Sequence, residues 1–140
     1  MKIKLDPGAY VPERAHATDA GLDIYSPCDI KLRWLKPVTI MTGVHIDLES
    51  ASCEFWTCGF VKNRSSMFKR GIITDGTIDM GYTGEIGVTL ISLVPFQKKI
   101  LKGDRIAQLV IPIIGLVPIE IVERLGETER GANGFGSTGR

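Results

Sequence analysis

Residues 38–49 read VTIMTGVHIDLE. The stretch is rich in β-branched side chains, and its apolar residues partly alternate with polar ones. Alternation at a period of two belongs to a strand with one face buried and one face wet. An amphipathic helix would repeat its apolar face every third or fourth residue, and no long run of that kind occurs in the chain. The same texture continues outward. EFWTCGFV (54–61), EIGVTLISLV (85–94), RIAQLVIPII (105–114) and VPIEIVE (117–123) are short β-branched or aromatic runs, separated by scattered Gly (16) and Pro (7). Helix is expected only over SSMFKR (65–70), with Ser65 or Ser66 as N-cap. The pattern predicts an all-β fold, a jelly-roll-like barrel or sandwich with one short helix.

Bulk properties narrow the function classes. A chain of 140 residues suits one domain that needs no disulfide staples. Net charge is +1, so no broad basic face for nucleic acid is expected, and an anion must be held by a few local groups. Cys28, Cys53 and Cys58 form no C-x-x-C, and only His16 and His45 accompany them. A structural zinc site is therefore not expected, and the thiols read as small side chains in a reducing compartment. MKIKLDPG (1–8) has no apolar leader. LVIPIIGLVPIEIV (109–122) is too short and too broken by Pro112, Gly115 and Pro118 to span a bilayer. A cytoplasmic protein with no membrane partner is expected.

Five stretches can carry chemistry. ATDAGLDIYSP (17–27) places Asp19 and Asp23 near Gly21. Both suit turns, and either carboxylate suits a hydrated Mg²⁺, which keeps waters and takes few protein ligands. NRSSMFKRG (63–71) sets Arg64 beside two hydroxyls at a helix start, as a plain cap or as a phosphate grip. GTIDMGYTGEIGV (76–88) holds Asp79 between Ile78 and Met80, a hairpin-turn aspartate or a base for water. KGDRIAQLVI (102–111) carries Gln108 inside a strand, where a buried amide needs partners. RGANGFGSTGR (130–140) contains G-x-G-x-x-G. Only Arg140 follows it, so the segment is expected to be a mobile arm rather than the opening of a dinucleotide-binding unit.

In order and spacing, AGLDIYSP, RSSMFKRG, GTIDMGYTGE, GDRIAQLV and RGANGFGSTG closely resemble the five motifs of the trimeric deoxyuridine triphosphate nucleotidohydrolases, the dUTPases. The resemblance runs from about Ala20 to Gly139. It implies hydrolysis of dUTP to dUMP and pyrophosphate, with Mg²⁺, in a homotrimer whose active sites lie at subunit interfaces. Asp23 matches the aspartate that holds Mg²⁺ through water. Arg64, Ser65 and Ser66 match the phosphate-binding second motif, and Gln108 matches the fourth-motif glutamine near the phosphates. Asp79 matches the catalytic aspartate, which also meets the sugar 3′-hydroxyl. Tyr82 matches the tyrosine under the deoxyribose that leaves no room for a 2′-hydroxyl. Thr77 and Ile78 belong to the hairpin that reads uracil through backbone groups, and Gly87 falls on the strand completing that pocket. Arg130, Phe135, Gly136, Ser137 and Thr138 match a closing arm, with Phe135 over uracil. The chain then divides into a barrel domain, 1–129, and an arm, 130–140.

Three positions depart from the family's pattern. Asn63 stands where many relatives have proline. Phe68 replaces a small residue and is expected to pack against Trp56 or Phe60. IITDGT (72–77) lacks an asparagine used near uracil, leaving the contribution of Thr74 or Asp75 open. Two rivals are distinguishable. A dCTP deaminase of the same fold needs a glutamate on the strand after the third motif, and IGVTLISLV (86–94) has no carboxylate. A non-catalytic jelly-roll trimer would be expected to lose Asp79 or Arg130, and both are present.

Overall fold

The fold is that of a computed structural model, which describes residues 1–49, 55–128 and 131–132. In chain order the elements are β1 (Lys2–Leu5), β2 (Gly21–Tyr25), β3 (Ile30–Leu32), β4 (Val38–Asp47), β5 (Trp56–Thr57), β6 (Gly59–Lys62), α1 (Ser65–Lys69), β7 (Ile72–Ile73), β8 (Asp75–Ile78), β9 (Glu85–Ser92), β10 (Lys98–Ile100), β11 (Arg105–Val110) and β12 (Ile113–Ile114). Two four-stranded sheets, β1-β4-β9-β7 and β2-β11-β6-β8, carry the fold, with β10-β3 and β12-β5 as two-stranded additions. Every strand pair is antiparallel. The molecule is the expected all-β jelly roll with one short helix.

The β4 alternation decides where the core lies. Ile40, Thr42, Val44 and Ile46 point inward, and the residues between them face outward or lie half-buried. Ile86, Val88 and Leu90 of β9 do the same, as do Leu22 and Ile24 of β2 and Leu109 of β11. Each such side chain is worth about 1.5–3 kcal/mol on burial. Thr42 is the polar intruder among them. Its Oγ1 donates to Ile86 O at 2.7 Å, so the hydroxyl is satisfied inside the core.

Two bulges break the ladders. The β4–β9 register shifts between Met41 and His45. Within the bulge Gly43 takes φ +70° and its N–H donates to Glu85 Oε1 at 2.7 Å. A Cβ at Gly43 would come within 2.7 Å of Ala9 Cβ, so glycine is required there. The β11–β2 register shifts between Arg105 and Ala107. That shift turns both Ile106 and Ala107 into the core and brings Gln108 opposite Asp23.

The helix start differs from expectation. Arg64, extended at φ −89° and ψ 144°, is the N-cap, and no side chain caps α1. The Arg64 side chain is engaged elsewhere, as described below. Met67 anchors the helix in the core, and Gly71, at φ +72°, ends it. Phe68 does not pack as expected. It is 67% exposed, and Trp56 is itself 56% exposed. VPIEIVE also forms no strand, because the chain past β12 finds no partner strand among the described residues. Ile119 and Ile121 are 93% and 96% exposed. Cys28 is an exposed free thiol and Cys58 a buried one, while Cys53 lies outside the described residues. No helix among the described residues is long and apolar enough to cross a membrane.

Candidate functional site

The site residues fall into two cavities that share no lining residue. The first, about 350 Å³, is polar and lined by Asp19, Gly21, Asp23, Arg64, Ser65 and Gln108, with Ala15 and Ala20. Asp23 is its centre of charge. Its side chain is only 12% exposed, and Arg64 Nε and Arg105 Nη1 lie 2.7 and 3.1 Å from its two oxygens. Arg64 is further fixed by donating from Nη1 to Ser66 Oγ and to Arg105 O, each at 3.3 Å. Both oxygens of this enclosed carboxylate are thus met by a cation. Of the two arginines, Arg64 lines the cavity, while Arg105 is half exposed beside it in the ion pair.

Gln108 is held by its amide, Nε2 donating to Asn63 O at 3.0 Å. Asn63 Nδ2 in turn donates to Ile72 O at 3.1 Å. The unusual asparagine before Arg64 thus ties β6, β7 and the glutamine together. Gly21 faces this glutamine, and a Cβ there would come 2.7 Å from Gln108 Oε1. Asp19 is a turn residue: its Oδ2 accepts from His16 N at 2.9 Å. Asp104 is likewise a turn residue, accepting from Leu101 N at 2.9 Å.

The second cavity, about 210 Å³, is lined by Val61, Gly76, Thr77, Ile78, Asp79, Tyr82, Glu85, Ile86 and Gly87. It opens because the β8–β9 hairpin splits. β8 is the edge strand of one sheet, while β9 pairs β4 and β7 in the other. The facing edges of Asp75–Ile78 and Glu85–Leu90 therefore have no strand partner among the described residues. Their N–H and C=O groups form a ready-made ladder for a planar ligand with complementary donors and acceptors. Asp79 stands at the mouth. Its C=O accepts from Tyr82 N at 3.0 Å, closing the turn, and its carboxylate has no partner among the described residues. Tyr82 Oη donates to Glu85 O at 3.0 Å, which lays the ring across the base of the turn.

Thr74 is buried and its Oγ1 has no partner among the described residues. Asp75 is exposed and paired with Lys62, and that hydrogen bond holds its carboxyl below the usual range. Neither side chain lines either cavity.

The structure thus gathers Asp23, Arg64, Ser65 and Gln108 in one place and Thr77, Ile78, Asp79, Tyr82 and Gly87 in another. Ser66 sits just outside the first group, as the Arg64 partner. Arg130, Phe135, Gly136, Ser137 and Thr138 lie outside the described residues. The Arg105–Asp23 contact and the tethering role of Asn63, noted in the sequence only as a departure from proline, are not evident from the sequence. Simple alternation puts Arg105 and Gln108 on opposite faces, and the bulge between Arg105 and Ala107 lets Arg105 pair with Asp23 while Gln108 lines the same carboxylate's cavity.

A jelly roll with an anion-suited cavity and a separate edge-lined pocket is suited to a ligand that carries both charged and planar groups. Comparison with known proteins makes this specific. The dUTPase family model matches residues 8–139. A deoxyuridine 5′-triphosphate nucleotidohydrolase of Corynebacterium efficiens is 41% identical over 143 residues, spanning 99% of this chain and 76% of that protein. One of Clostridium tetani is 41% identical over 146 residues, spanning 100% and 97%. Among solved structures, the Staphylococcus bacteriophage 80alpha dUTPase with dUPNHPP superposes with a TM-score of 0.88 at 29% identity, covering 99% and 98% of the two chains. A dUTPase from phage phi11 of S. aureus, in which coordination of a structural Mg(II) ion is described, gives 0.77 at 26%, covering 88% and 96%. The chain belongs to the dUTPase family.

Proposed function

We propose that the protein hydrolyses dUTP to dUMP and pyrophosphate, limiting uracil in DNA and supplying dUMP, and that it does so as a homotrimer. The observation that carries this reading is the division of the site. The pocket with the free carboxylate of Asp79 and the cavity with Arg64 and Gln108 are separate on one chain, so joining them across subunits makes a complete site. The exposed apolar tail around Ile119 and Ile121 also calls for a covering partner, and a second copy supplies one.

In this reading the open strand edges of Thr77, Ile78 and Gly87 pair with the uracil edge. The pocket is too narrow for the thymine methyl, since a snug wall rejects an added group by clash. Tyr82 underlies the deoxyribose and excludes a 2′-hydroxyl. Arg64, Ser65, Ser66 and Gln108 bind the phosphate chain. Arg130, Ser137 and Thr138 of a neighbour's arm reach the terminal phosphates, and Phe135 with Gly136 closes over the base. Asp79 takes the proton of the water that attacks the α-phosphorus, and pyrophosphate leaves.

The Asp23 surroundings fit a water-mediated Mg²⁺. Among the described residues no three His, Cys, Asp or Glu side chains converge on a point, so those residues form no protein cage. A hydrated ion needs only spare lone pairs and phosphate oxygens. A carboxylate has about four lone-pair sites, and the two arginines use one on each oxygen. Mg²⁺ bound there would neutralise charge on the triphosphate.

The deciding assay offers dUTP, dTTP, dCTP and UTP separately with Mg²⁺. Selective release of pyrophosphate from dUTP is expected. Equal turnover of all four, or deamination of dCTP, contradicts the reading.

A further inference from the structure

We propose that His45 is a positioning residue for the Asp79–Tyr82 pocket, acting as an imidazolium that straps the Thr83 backbone to the Asp6 turn. His45 stands on β4, inside the bulge region, with its side chain 19% exposed. Its Nε2 lies 3.0 Å from Asp6 Oδ2 and its Nδ1 lies 3.2 Å from Thr83 O. A carbonyl oxygen only accepts, and an ionised carboxylate only accepts. A neutral imidazole has one donor nitrogen, so it can satisfy only one of these oxygens. Both contacts together require both ring protons.

The strap matters because of what lies at each end. Thr83 follows Tyr82 directly, and Tyr82 lines the pocket while donating to Glu85 O. Asp6 is anchored through its own N–H to Gly43 O at 2.8 Å, at the bulge that Glu85 Oε1 also holds. The charged groups around the ring come from every neighbouring strand. Lys4 on β1 and Glu85 on β9 are the cross-strand partners of His45, and Lys4 Nζ lies 3.5 Å from Asp6 Oδ1. Lys2 and Asp47 line the same groove with Thr83. The hydrogen bond to Asp6, then that to Thr83, holds the His45 pKa above its ordinary value, while Lys4 opposes this.

Loss of the proton as pH rises breaks one of the two contacts and frees the Tyr82–Thr83 turn. The test has a spectroscopic arm and a kinetic arm, and only the kinetic arm rests on the dUTPase reading. Imidazole ¹⁵N spectra of the wild-type protein are recorded from about pH 5 to pH 9. Expected are two protonated ring nitrogens of His45 at neutral pH, with the amide signals of Tyr82 and Thr83 moving at the same midpoint. In His45→Gln, whose amide does not titrate, that movement disappears. Kinetically, the wild-type KM for dUTP rises several-fold through the midpoint with kcat nearly constant. His45→Gln shows the high KM at every pH. A neutral single tautomer at neutral pH, or Tyr82 and Thr83 signals indifferent to the His45 midpoint, overturns the proposal. So does a wild-type KM profile in His45→Gln. Absence of any dUTP turnover would end the dUTPase reading instead, and the spectra of the wild-type chain would still decide the role of His45.

Discussion

Arg64 Nε lies 2.7 Å from Asp23 Oδ1, and Arg105 Nη1 reaches the other oxygen of the same carboxylate at 3.1 Å. One buried acid thereby holds two cations, of which Arg64 lines the polar cavity. The acid offsets their mutual repulsion.

Asp23→Asn keeps the shape and removes the charge that the two arginines face. The expected cost is about 1–3 kcal/mol of stability, reduced from a fully buried case because Arg105 can turn to solvent. Urea unfolding measures this, and turnover against Mg²⁺ concentration measures the loss of metal response. An unchanged unfolding midpoint together with an unchanged Mg²⁺ dependence would remove Asp23 from both roles.

Asp79→Asn tests the base. The variant should bind a non-hydrolysable dUTP analogue with nearly wild-type affinity, while kcat falls by about a hundredfold or more. Calorimetry and single-turnover kinetics separate the two quantities. Near-normal kcat would end the assignment of Asp79.

Tyr82→Ala tests discrimination at the sugar. Removing the ring from the turn opens space beside the pocket, so the ratio of kcat/KM for UTP to that for dUTP should rise. An unchanged ratio would mean that the 2′-hydroxyl is refused elsewhere.

The Asp6–His45 pair makes a prediction about pH. Its hydrogen bond raises the His45 pKa and lowers that of Asp6. The His45 contribution is complete below its unfolded value of about 6.5 and is lost as pH rises through the raised folded value. The Asp6 contribution is present above about 3.9 and is lost as pH falls through its lowered folded value. Thermal unfolding midpoints should therefore fall between neutral and mildly alkaline pH in the wild type, and less so in His45→Gln. Parallel curves for the two proteins would contradict this.

Much of the strand pattern was legible because alternation reports burial directly. VTIMTGVHIDLE alternates, and β4 buries Ile40, Val44 and Ile46. Of the residues named from the resemblance, Asp23, Arg64, Ser65 and Gln108 line one cavity and Thr77, Ile78, Asp79, Tyr82 and Gly87 the other, because a motif can be matched without knowledge of geometry. Three features were hidden for physical reasons. The Arg64 cap followed from a tertiary ion pair, which local propensity cannot see. Arg105 depended on a bulge that resets the strand phase by one residue. His45 depended on two acceptors contributed by residues 39 and 38 positions away. Phe68 and VPIEIVE do not pack or pair as their composition suggests, because the described residues offer the one no cover and the other no partner strand.

The division of the site between subunits is tested most directly by complementation. Asp79→Asn and Arg64→Ala chains, each inactive alone, are unfolded together in equal amounts and refolded. A site that draws Asp79 from one subunit and Arg64 from another is intact only when the first comes from the Arg64→Ala chain and the second from the Asp79→Asn chain. Random assembly then restores about one quarter of the wild-type dUTP hydrolysis. A mixture as inactive as its parents would contradict a site shared between subunits.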